Sequence, residues 1–253
     1  MRAVENMSVL VTGGGSGIGA GIAEHLCAAG ARVTISGRRA DKLAGVAEAI
    51  GERCRAVVGD VTVAADRAAM IAGAVDHGGG LDVLVNNAGN MYRGPLDELA
   101  EQELLDVFHT NVVGAMMLTQ GALPHLVDAR GAVVFLGSTH SQRAFPGASP
   151  YAATKGAVET LTGVLAAELG PMGVRVSCVR PGAVFTELNQ RAGLFDDGEA
   201  LARLEGLAPA HALGRIGTVA EIAEAVEYLA RAEWTTGAVM TVDGGLALGV
   251  TNA

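Results

Sequence analysis

The chain has 253 residues, half of them hydrophobic, and carries a formal net charge of -9 at pH 7. This length fits one large α/β domain or at most two small ones. The acidic balance argues against nucleic acid as the main partner, and no apolar run reaches the roughly 18 residues of a membrane helix. The three cysteines, Cys27, Cys54 and Cys178, have no metal-binding spacing. We therefore expect a cytoplasmic protein with no metal and no membrane or nucleic-acid partner.

Short β-branched runs alternate with longer helical patterns along the chain. The β-branched runs predict seven strands, at 8–12, 31–36, 55–59, 81–86, 131–137, 174–179 and 238–243. Helix formers with apolar residues at three-to-four spacing predict helices within 17–30, 40–50 and 64–77. Strands that are nearly all apolar suit a sheet covered on both faces, and this alternation implies right-handed βαβ units. The pattern predicts a single-domain Rossmann-type fold over 1–253, with a seven-stranded parallel sheet and helices on both faces.

One segment, 182–213, departs from this alternation. It contains no confident strand, only short helical pieces rich in Ala, Leu, Asp and Glu. A stretch of that length without strands inside a compact domain is usually a lid or a binding loop. We therefore expect a substrate loop or lid at about 182–213.

The first predicted strand runs through the sequence TGGGSGIG, at 12–19, directly into a helix. Glycine at 13, 17 and 19 permits a tight turn, close approach of the backbone to a pyrophosphate, and close packing of helix on strand. The helix N-terminus then offers free N–H groups and a positive dipole end to phosphates. Ile18 stands where the G-x-G-x-x-G spacing would need its third glycine. The turn predicts a dinucleotide site, although a purely structural turn remains the alternative.

The residue that selects between NAD and NADP is expected at the end of the second predicted strand. An acidic residue there would bind the ribose 2′-hydroxyl of NAD. That place holds Gly37, followed by Arg38 and Arg39. A guanidinium can bind a 2′-phosphate with two hydrogen bonds, and Ser16 could add a hydroxyl donor. The sequence favours NADP and leaves NAD possible; the alternative is a solvated basic turn.

Several polar residues follow the predicted strands at their carboxyl ends, where a parallel sheet of this kind has its active site. Ser138 follows the fifth predicted strand, and ligands bind outside the carboxyl ends of parallel strands. Tyr151 and Lys155 are four residues apart on a predicted helix, so their side chains share one face. Asn111 lies inside a predicted helix, where its amide competes for backbone hydrogen bonds. The stretch NNAG, at 86–89, ends the fourth strand at the same edge.

Together these residues resemble the short-chain dehydrogenase/reductase family over nearly the whole chain. The matching features are the turn at 12–19, Asp60 after the third strand, the motif at 86–89, Asn111, Ser138, Tyr151, Lys155, Pro181 and Gly182 with Thr186, and the closing TGAVMTVDGG. Each motif is weak alone, but their order and spacing together are specific. The resemblance implies an NAD(P)-dependent oxidoreductase that moves a hydride between a nicotinamide cofactor and a small carbonyl or secondary alcohol.

The resemblance also implies a role for each catalytic residue. Tyr151 would be the general acid/base for the substrate oxygen, and the Lys155 ammonium would favour its phenolate and bind the nicotinamide ribose. Ser138 would polarise the substrate oxygen as a fixed donor, and Asn111 would hold a water that links Lys155 to solvent.

The same resemblance implies the cofactor contacts. Gly13, Gly17 and Gly19 would contact the pyrophosphate, Asp60 the adenine, Asn87 the adenine ribose and Thr186 the carboxamide. The remaining residues expected at the cofactor are Ser16, Ile18, Arg38, Val61, Ala88, Gly89, Tyr151, Lys155, Pro181 and Gly182. His140 and Met91 are expected to line the substrate pocket.

Several alternatives stay open. A 3-oxoacyl-carrier-protein reductase would meet its acidic partner with basic residues, but Asp128 and Met172 stand where such residues are expected. A catalytically silent dinucleotide sensor is the other class of function, and a Rossmann-type methyltransferase has no use for the tyrosine–lysine pair. The resemblance further suggests a homotetramer, with helices around 100–127 and 150–170 pairing across a two-fold axis and the last strand forming a second interface.

Overall fold

The computed structural model describes residues 1–186 and 205–249, and it contains the predicted seven-stranded parallel sheet. The strands are β1 Ser8–Thr12, β2 Arg32–Gly37, β3 Cys54–Val58, β4 Val83–Asn86, β5 Ala132–Leu136, β6 Arg175–Pro181 and β7 Val239–Val242. Their order is β3-β2-β1-β4-β5-β6-β7, with every neighbouring pair parallel. The strand order reverses between β1 and β4, which is where open α/β sheets bind ligands.

Helices connect the strands, as the sequence pattern predicts. They are α1 Gly17–Ala28, α2 Ala40–Ile50, α3 Ala64–Gly78, α4 Glu101–Phe108, α5 Ala115–Ala129, α6 Ser149–Leu169 and α7 Val219–Arg231. A π-helical segment, His109–Gly114, joins α4 to α5. The start of α7 carries a capping box, because Thr218 Oγ1 accepts from Glu221 N and the Glu221 carboxylate accepts from Thr218 N. In the described ranges no helix has the length and apolar character to cross a membrane.

Two hydrophobic cores cover the two faces of the sheet. Side chains alternate along each strand, so Val9 and Val11 pack on one face while Leu10 packs on the other. The first core is closed by α1, α2 and α7, and the second by α3, α5 and α6. Helices therefore lie on both faces, which confirms the doubly wound fold.

The predicted substrate loop at 182–213 falls mostly outside the described residues, which omit 187–204. At one end of the gap, Val184 forms an isolated parallel bridge with Gly217. At the other end, a short 3₁₀ turn covers Ala208–Ala210. These flanks contain no strand, in agreement with the sequence pattern.

A buried ion pair joins α6 to the carboxyl end of β6. Arg180 Nε donates to Glu159 Oε1 at 2.9 Å and Nη2 donates to Oε2 at 2.7 Å, so the contact is bidentate. The side chains are only 10% and 11% exposed. Arg180 Nη1 also donates to Thr241 Oγ1 of β7 at 2.8 Å. Because two buried charges depend on each other here, the loss of either one leaves the other without compensation.

We predict that Glu159→Gln lowers the free energy of unfolding by about 3 kcal/mol, the lower end of the range for breaking a buried ion pair. Urea unfolding at neutral pH measures this. The control is Asp76→Asn in the surface pair Arg55–Asp76, whose side chains are 43% and 74% exposed and whose loss should change stability much less. Equal effects of the two substitutions would contradict the prediction.

Candidate active site

The turn between β1 and α1 leaves no room for a side chain at positions 13 and 19. Gly13 and Gly17 have positive φ values of 67° and 54°. A Cβ atom on Gly19 would lie 2.4 Å from Gly13 O, so only glycine fits. The first-turn amides of α1 have no partner within the helix, and the Ser16 side chain does not cap them. This arrangement suits the pyrophosphate of a dinucleotide, which needs backbone donors and close approach.

Thr12 and Asn87 fasten this turn to the end of β4. Asn87 Nδ2 donates to Thr12 O at 2.8 Å and to Gly13 O at 3.2 Å. Thr12 Oγ1 accepts from Asn87 N at 3.1 Å and from Ala88 N at 3.0 Å. The Asn87 amide donors are thus used inside the protein, so only its Oδ1 atom is left to face a ribose.

Arg38, Arg39 and Asp60 line a second cavity, which continues from the main cleft past Gly13 and Ser16. Arg38 is 60% exposed, and its Nη1 atom lies 3.8 Å from Asp60 Oδ2. Arg39 Nη2 donates to Ser16 Oγ at 2.9 Å, so this second arginine is directed back to the glycine turn. Asp60 Oδ1 accepts from Thr62 N and Thr62 Oγ1 at 2.9 and 2.8 Å, which fixes the carboxylate at the end of β3.

Most of the sequence-predicted residues line one cleft at the carboxyl ends of the strands. They are Gly13, Ser16, Gly17, Ile18, Asn87, Ala88, Gly89, Met91, Ser138, His140, Tyr151, Lys155, Pro181, Gly182 and Thr186. Val61 lines the second cavity with Arg38 and Asp60. Gly19 and Asn111 line neither cavity. Gly19 packs against Gly13. Asn111 is hydrogen-bonded to Thr154 on α6, the helix that carries Tyr151 and Lys155.

Helix α6 brings Tyr151 and Lys155 to the cleft that Ser138 also lines. Both side chains belong to residues only 6% exposed. Lys155 Nζ donates to Leu136 O at 2.6 Å and lies 5.4 Å from the centroid of the Tyr151 ring. The ammonium is therefore held between the end of β5 and the phenol. A buried charge of this kind needs such partners.

Asn111 lies in the π-helical segment, a feature that often marks functional sites. Its Nδ2 atom donates to Asn90 O at 2.9 Å and to Thr154 Oγ1 at 3.0 Å. Its Oδ1 atom accepts from Asn90 N at 2.7 Å. Thr154 Oγ1 in turn donates to Tyr151 O at 2.8 Å. The Asn111 side chain thus connects the loop after β4 to the helix turn that carries Tyr151.

His140 lies between Ser138 and Arg93 and lines the cleft. Ser138 Oγ is 3.1 Å from His140 Nδ1, and Arg93 Nη2 is 3.5 Å from His140 Nε2. The imidazole stacks on Phe145 at 4.2 Å and meets the Tyr151 ring edge-on at 5.2 Å. Burial, with smaller effects from the charges of Arg93 and Lys155, lowers the pKa of His140 to about 4. The ring is therefore neutral at neutral pH.

Arg93 and Phe145 are cleft residues that sequence reasoning did not single out. They lie in the irregular stretches after β4 and β5, where no periodic pattern indicates direction. The one available signal was position, because both stretches follow strands at their carboxyl ends. Across the described ranges, no group of three His, Cys, Asp or Glu side chains is arranged to hold a metal.

The strand order and the glycine turn define a dinucleotide-binding α/β protein. The family model for short chain dehydrogenases matches residues 7–196. The chain belongs to this family, as its motifs indicated.

Three relatives illustrate the range of the family. The chain is 37% identical over 246 residues to gluconate 5-dehydrogenase of Gluconobacter oxydans, covering 94% of this chain and 93% of the relative. It is 39% identical over 247 residues to L-fucose dehydrogenase of Oryctolagus cuniculus, covering 95% and 85%. A solved structure of 3-ketoacyl-(acyl-carrier-protein) reductase from Brucella melitensis, complexed with NADH, matches with a TM-score of 0.87 at 31% identity, covering 96% and 99%.

Proposed function

We propose that this chain is a single-domain, NAD(P)-dependent oxidoreductase that transfers a hydride between the nicotinamide and a small carbonyl or secondary alcohol. The observation that carries the proposal is the convergence of Ser138, Tyr151 and Lys155 at the cleft that begins at the glycine turn. The names of the relatives, which include two dehydrogenases and a ketoacyl reductase, support the same reaction class.

The protein side chains bind the substrate oxygen and transfer a proton to or from it. When bound, the nicotinamide cofactor supplies or accepts the hydride. Ser138 Oγ–H donates to the substrate oxygen, where negative charge develops during reduction. Tyr151 Oη delivers the proton to that oxygen, or removes it in the reverse direction. Lys155 Nζ, 5.4 Å from the centroid of the Tyr151 ring, places a positive charge that attracts the negative charge left on Tyr151 Oη after proton delivery.

The intact set of residues argues against a sensor that has lost catalysis. Asn111, Ser138, Tyr151 and Lys155 are all present, and each is largely buried. Burying a lysine is costly unless the ammonium is hydrogen-bonded, and Lys155 has a specific acceptor in Leu136 O. A protein that only binds the dinucleotide would gain little from keeping this arrangement.

We predict that Tyr151→Phe lowers kcat by roughly 10²–10⁴-fold, the usual contribution of a general acid or base. NADPH affinity, measured by nicotinamide fluorescence, should stay close to that of the wild type because the ring remains. Tyr228→Phe on α7, where the side chain belongs to a 44% exposed residue, is the matched control and should keep full activity. If the Tyr151 variant retained more than about a tenth of the rate, the assignment would be wrong.

We propose NADP as the preferred cofactor. Gly37 offers no carboxylate to a ribose 2′-hydroxyl, and Arg38 and Arg39 bring positive charge to the second cavity. A charge-assisted hydrogen bond contributes about 1.5–3 kcal/mol when fully formed, equivalent to roughly 10- to 100-fold. Because Arg38 is 60% exposed and near Asp60, we expect the lower end of this range.

We predict that kcat/KM favours NADPH over NADH by about 10-fold at low salt and less as salt rises. Arg38→Ala should reduce the ratio, whereas Arg32→Ala at the other end of β2 should leave it unchanged. Gly37→Asp should reverse the preference, since a carboxylate accepts from a ribose hydroxyl and repels a phosphate. The new Cβ fits, because its closest neighbour would be Leu43 at 3.8 Å. Equal use of both cofactors by the wild type would contradict this proposal.

We propose a small substrate over a carrier-bound one. The net charge of -9 disfavours an acidic carrier protein. Ala183, Val184 and Leu207, on the two sides of 187–204, line the cleft. This placement supports the proposal that the segment 182–213 borders the substrate. A panel of sugar acids, free sugars, cyclic ketones and 3-oxoacyl thioesters, assayed with NADPH and NADP, would identify the class; turnover of the thioester alone would favour the carrier-protein alternative.

We propose a homotetramer in which the helices around 100–127 and 150–170 pair with their copies across one two-fold axis and the last strand forms a second interface. Ala153, Ala157, Thr160 and Val164 share one face of α6 by their spacing, and Val164 is 50% exposed. We expect the exposed apolar side chain of Val164 to be buried against another subunit.

We predict that light scattering at micromolar concentration gives a tetramer for the wild type and a smaller species for Val164→Asp, because the new carboxylate would be buried in the pairing face. Val63→Asp, at a 45% exposed residue before α3, is the control and should remain tetrameric. A monomeric wild type would reject the assembly.

A further inference from the structure

The contact between Ser138 and His140 has two possible hydrogen-bond directions with opposite consequences. The two atoms, Ser138 Oγ and His140 Nδ1, are 3.1 Å apart. If the hydroxyl donates to a bare Nδ1, its only proton is used inside the protein. If a protonated Nδ1 donates to the hydroxyl, the Ser138 proton stays available for a substrate oxygen. The tautomer of His140 therefore decides whether Ser138 can act as a donor.

Arg93 settles the direction from the far side of the ring. Its Nη2 atom lies 3.5 Å from His140 Nε2. A guanidinium has only donors and stays charged, so it disfavours a proton on Nε2 and favours a lone pair there. The ring is neutral, since burial above all, followed by the charges of Arg93 and Lys155, lowers the pKa of His140 to about 4. A neutral ring with a bare Nε2 must carry its proton on Nδ1.

The surroundings of the ring hold it in this orientation. Phe145 stacks on one side at 4.2 Å with an interplanar angle of 25°, and Tyr151 meets the ring edge-on at 86°. The backbone N–H of His140 also donates to Ser138 Oγ, at 3.3 Å. With a proton on His140 Nδ1, Ser138 Oγ therefore accepts two hydrogen bonds from His140. Within 1–186 and 205–249, Ser138 Oγ has no hydrogen-bond partner other than these two His140 atoms, so in this tautomer its proton stays available in the cleft that Ser138 lines.

We propose that Arg93 and His140 are positioning residues that fix the Nδ1–H tautomer of His140, so that Ser138 presents its hydroxyl proton to the substrate oxygen. The inference rests on the proposed role of Ser138 in the oxidoreductase reaction. No proton leaves His140 during turnover. Arg93 Nη2 faces the lone pair of His140 Nε2. The backbone N–H and the Nδ1–H of His140 both donate to Ser138 Oγ.

The direct test is a two-bond ¹H–¹⁵N correlation spectrum of the protein labelled with ¹⁵N-histidine, recorded at pH 7 with and without NADPH. The His140 signals are assigned by their absence in His140→Asn. We expect Nδ1 protonated and Nε2 bare. The Nε2–H tautomer, or a doubly protonated ring, would overturn the proposal whether or not the enzyme turns over any substrate.

Two arginine variants test the cause of the tautomer. Arg93→Met removes the donor and the charge next to Nε2, and we expect the Nε2–H form to appear in the spectrum. Arg143→Met is the matched control, because this arginine lies in the loop that carries His140 but donates to Leu246 O instead. It should leave the His140 signals unchanged. An unchanged tautomer in Arg93→Met, or an equal change in Arg143→Met, would contradict the role of Arg93.

Kinetics with two His140 variants then test the effect on Ser138. His140→Phe keeps a ring to stack on Phe145 but loses the donor, and we expect kcat to fall about 2- to 10-fold, the effect of one hydrogen bond, with KM for NADPH unchanged. His140→Asn keeps a short side-chain N–H and should recover part of the rate. If both variants lost the same activity, or neither did, a role through Ser138 would be wrong. A failed Tyr151→Phe prediction would instead reject the proposed reaction itself, leaving the tautomer result intact.

Discussion

The close approach of the turn after β1 to the end of β4 is the constraint on which the rest of the cleft depends. Parallel strands place their carboxyl ends at one edge, but they bring the two loops into contact only if no side chain intervenes. Gly13 and Gly19 meet this condition, since a Cβ on Gly13 would lie 3.0 Å from Ala88 Cα and a Cβ on Gly19 would lie 2.5 Å from Asn87 Nδ2. Thr12 and Asn87 then close the contact with hydrogen bonds. These contacts between the turn after β1 and the end of β4 fix the position of the cleft, and they do not involve Ser138, Tyr151 or Lys155.

Catalytic geometry is added to this frame by contacts between elements far apart in sequence. Lys155 of α6 reaches Leu136 O at the end of β5, and Asn111 reaches Thr154 one helical turn from Tyr151. The Glu159–Arg180 pair fastens the same helix to β6. Each contact satisfies a buried polar group that would otherwise be costly. The residues proposed to react are therefore held by the same interactions that stabilise the fold.

The sheet, and the place of Tyr151 and Lys155 in the cleft, could be predicted from sequence because each carries a strong local signal. Strands such as 8–12 are nearly all apolar, and Tyr151 and Lys155 have a spacing that fixes their shared face. The loops carry no such signal. Nothing in the sequence indicates that Arg93 reaches His140, or that Arg39 turns back to Ser16, because these contacts depend on irregular backbone. The helical place of Asn111 was predicted, whereas the π-helical geometry depends on tertiary packing.

The separation between a fixed sheet with α6 on one side and irregular loops on the other is the arrangement by which one fold can serve many substrates. The turn at 12–19 and the Tyr151 and Lys155 side chains of α6 line the cleft, where we propose that they meet the parts that every reaction of this kind shares, namely the dinucleotide and the reacting oxygen. Arg93 and Phe145, by contrast, lie on the irregular stretches that follow β4 and β5. His140 connects the two regions, because its ring contacts the loop residues while its Nδ1 atom contacts Ser138. Through this ring, the loop that carries Arg93 would influence the Ser138 hydroxyl, as we propose, without touching it.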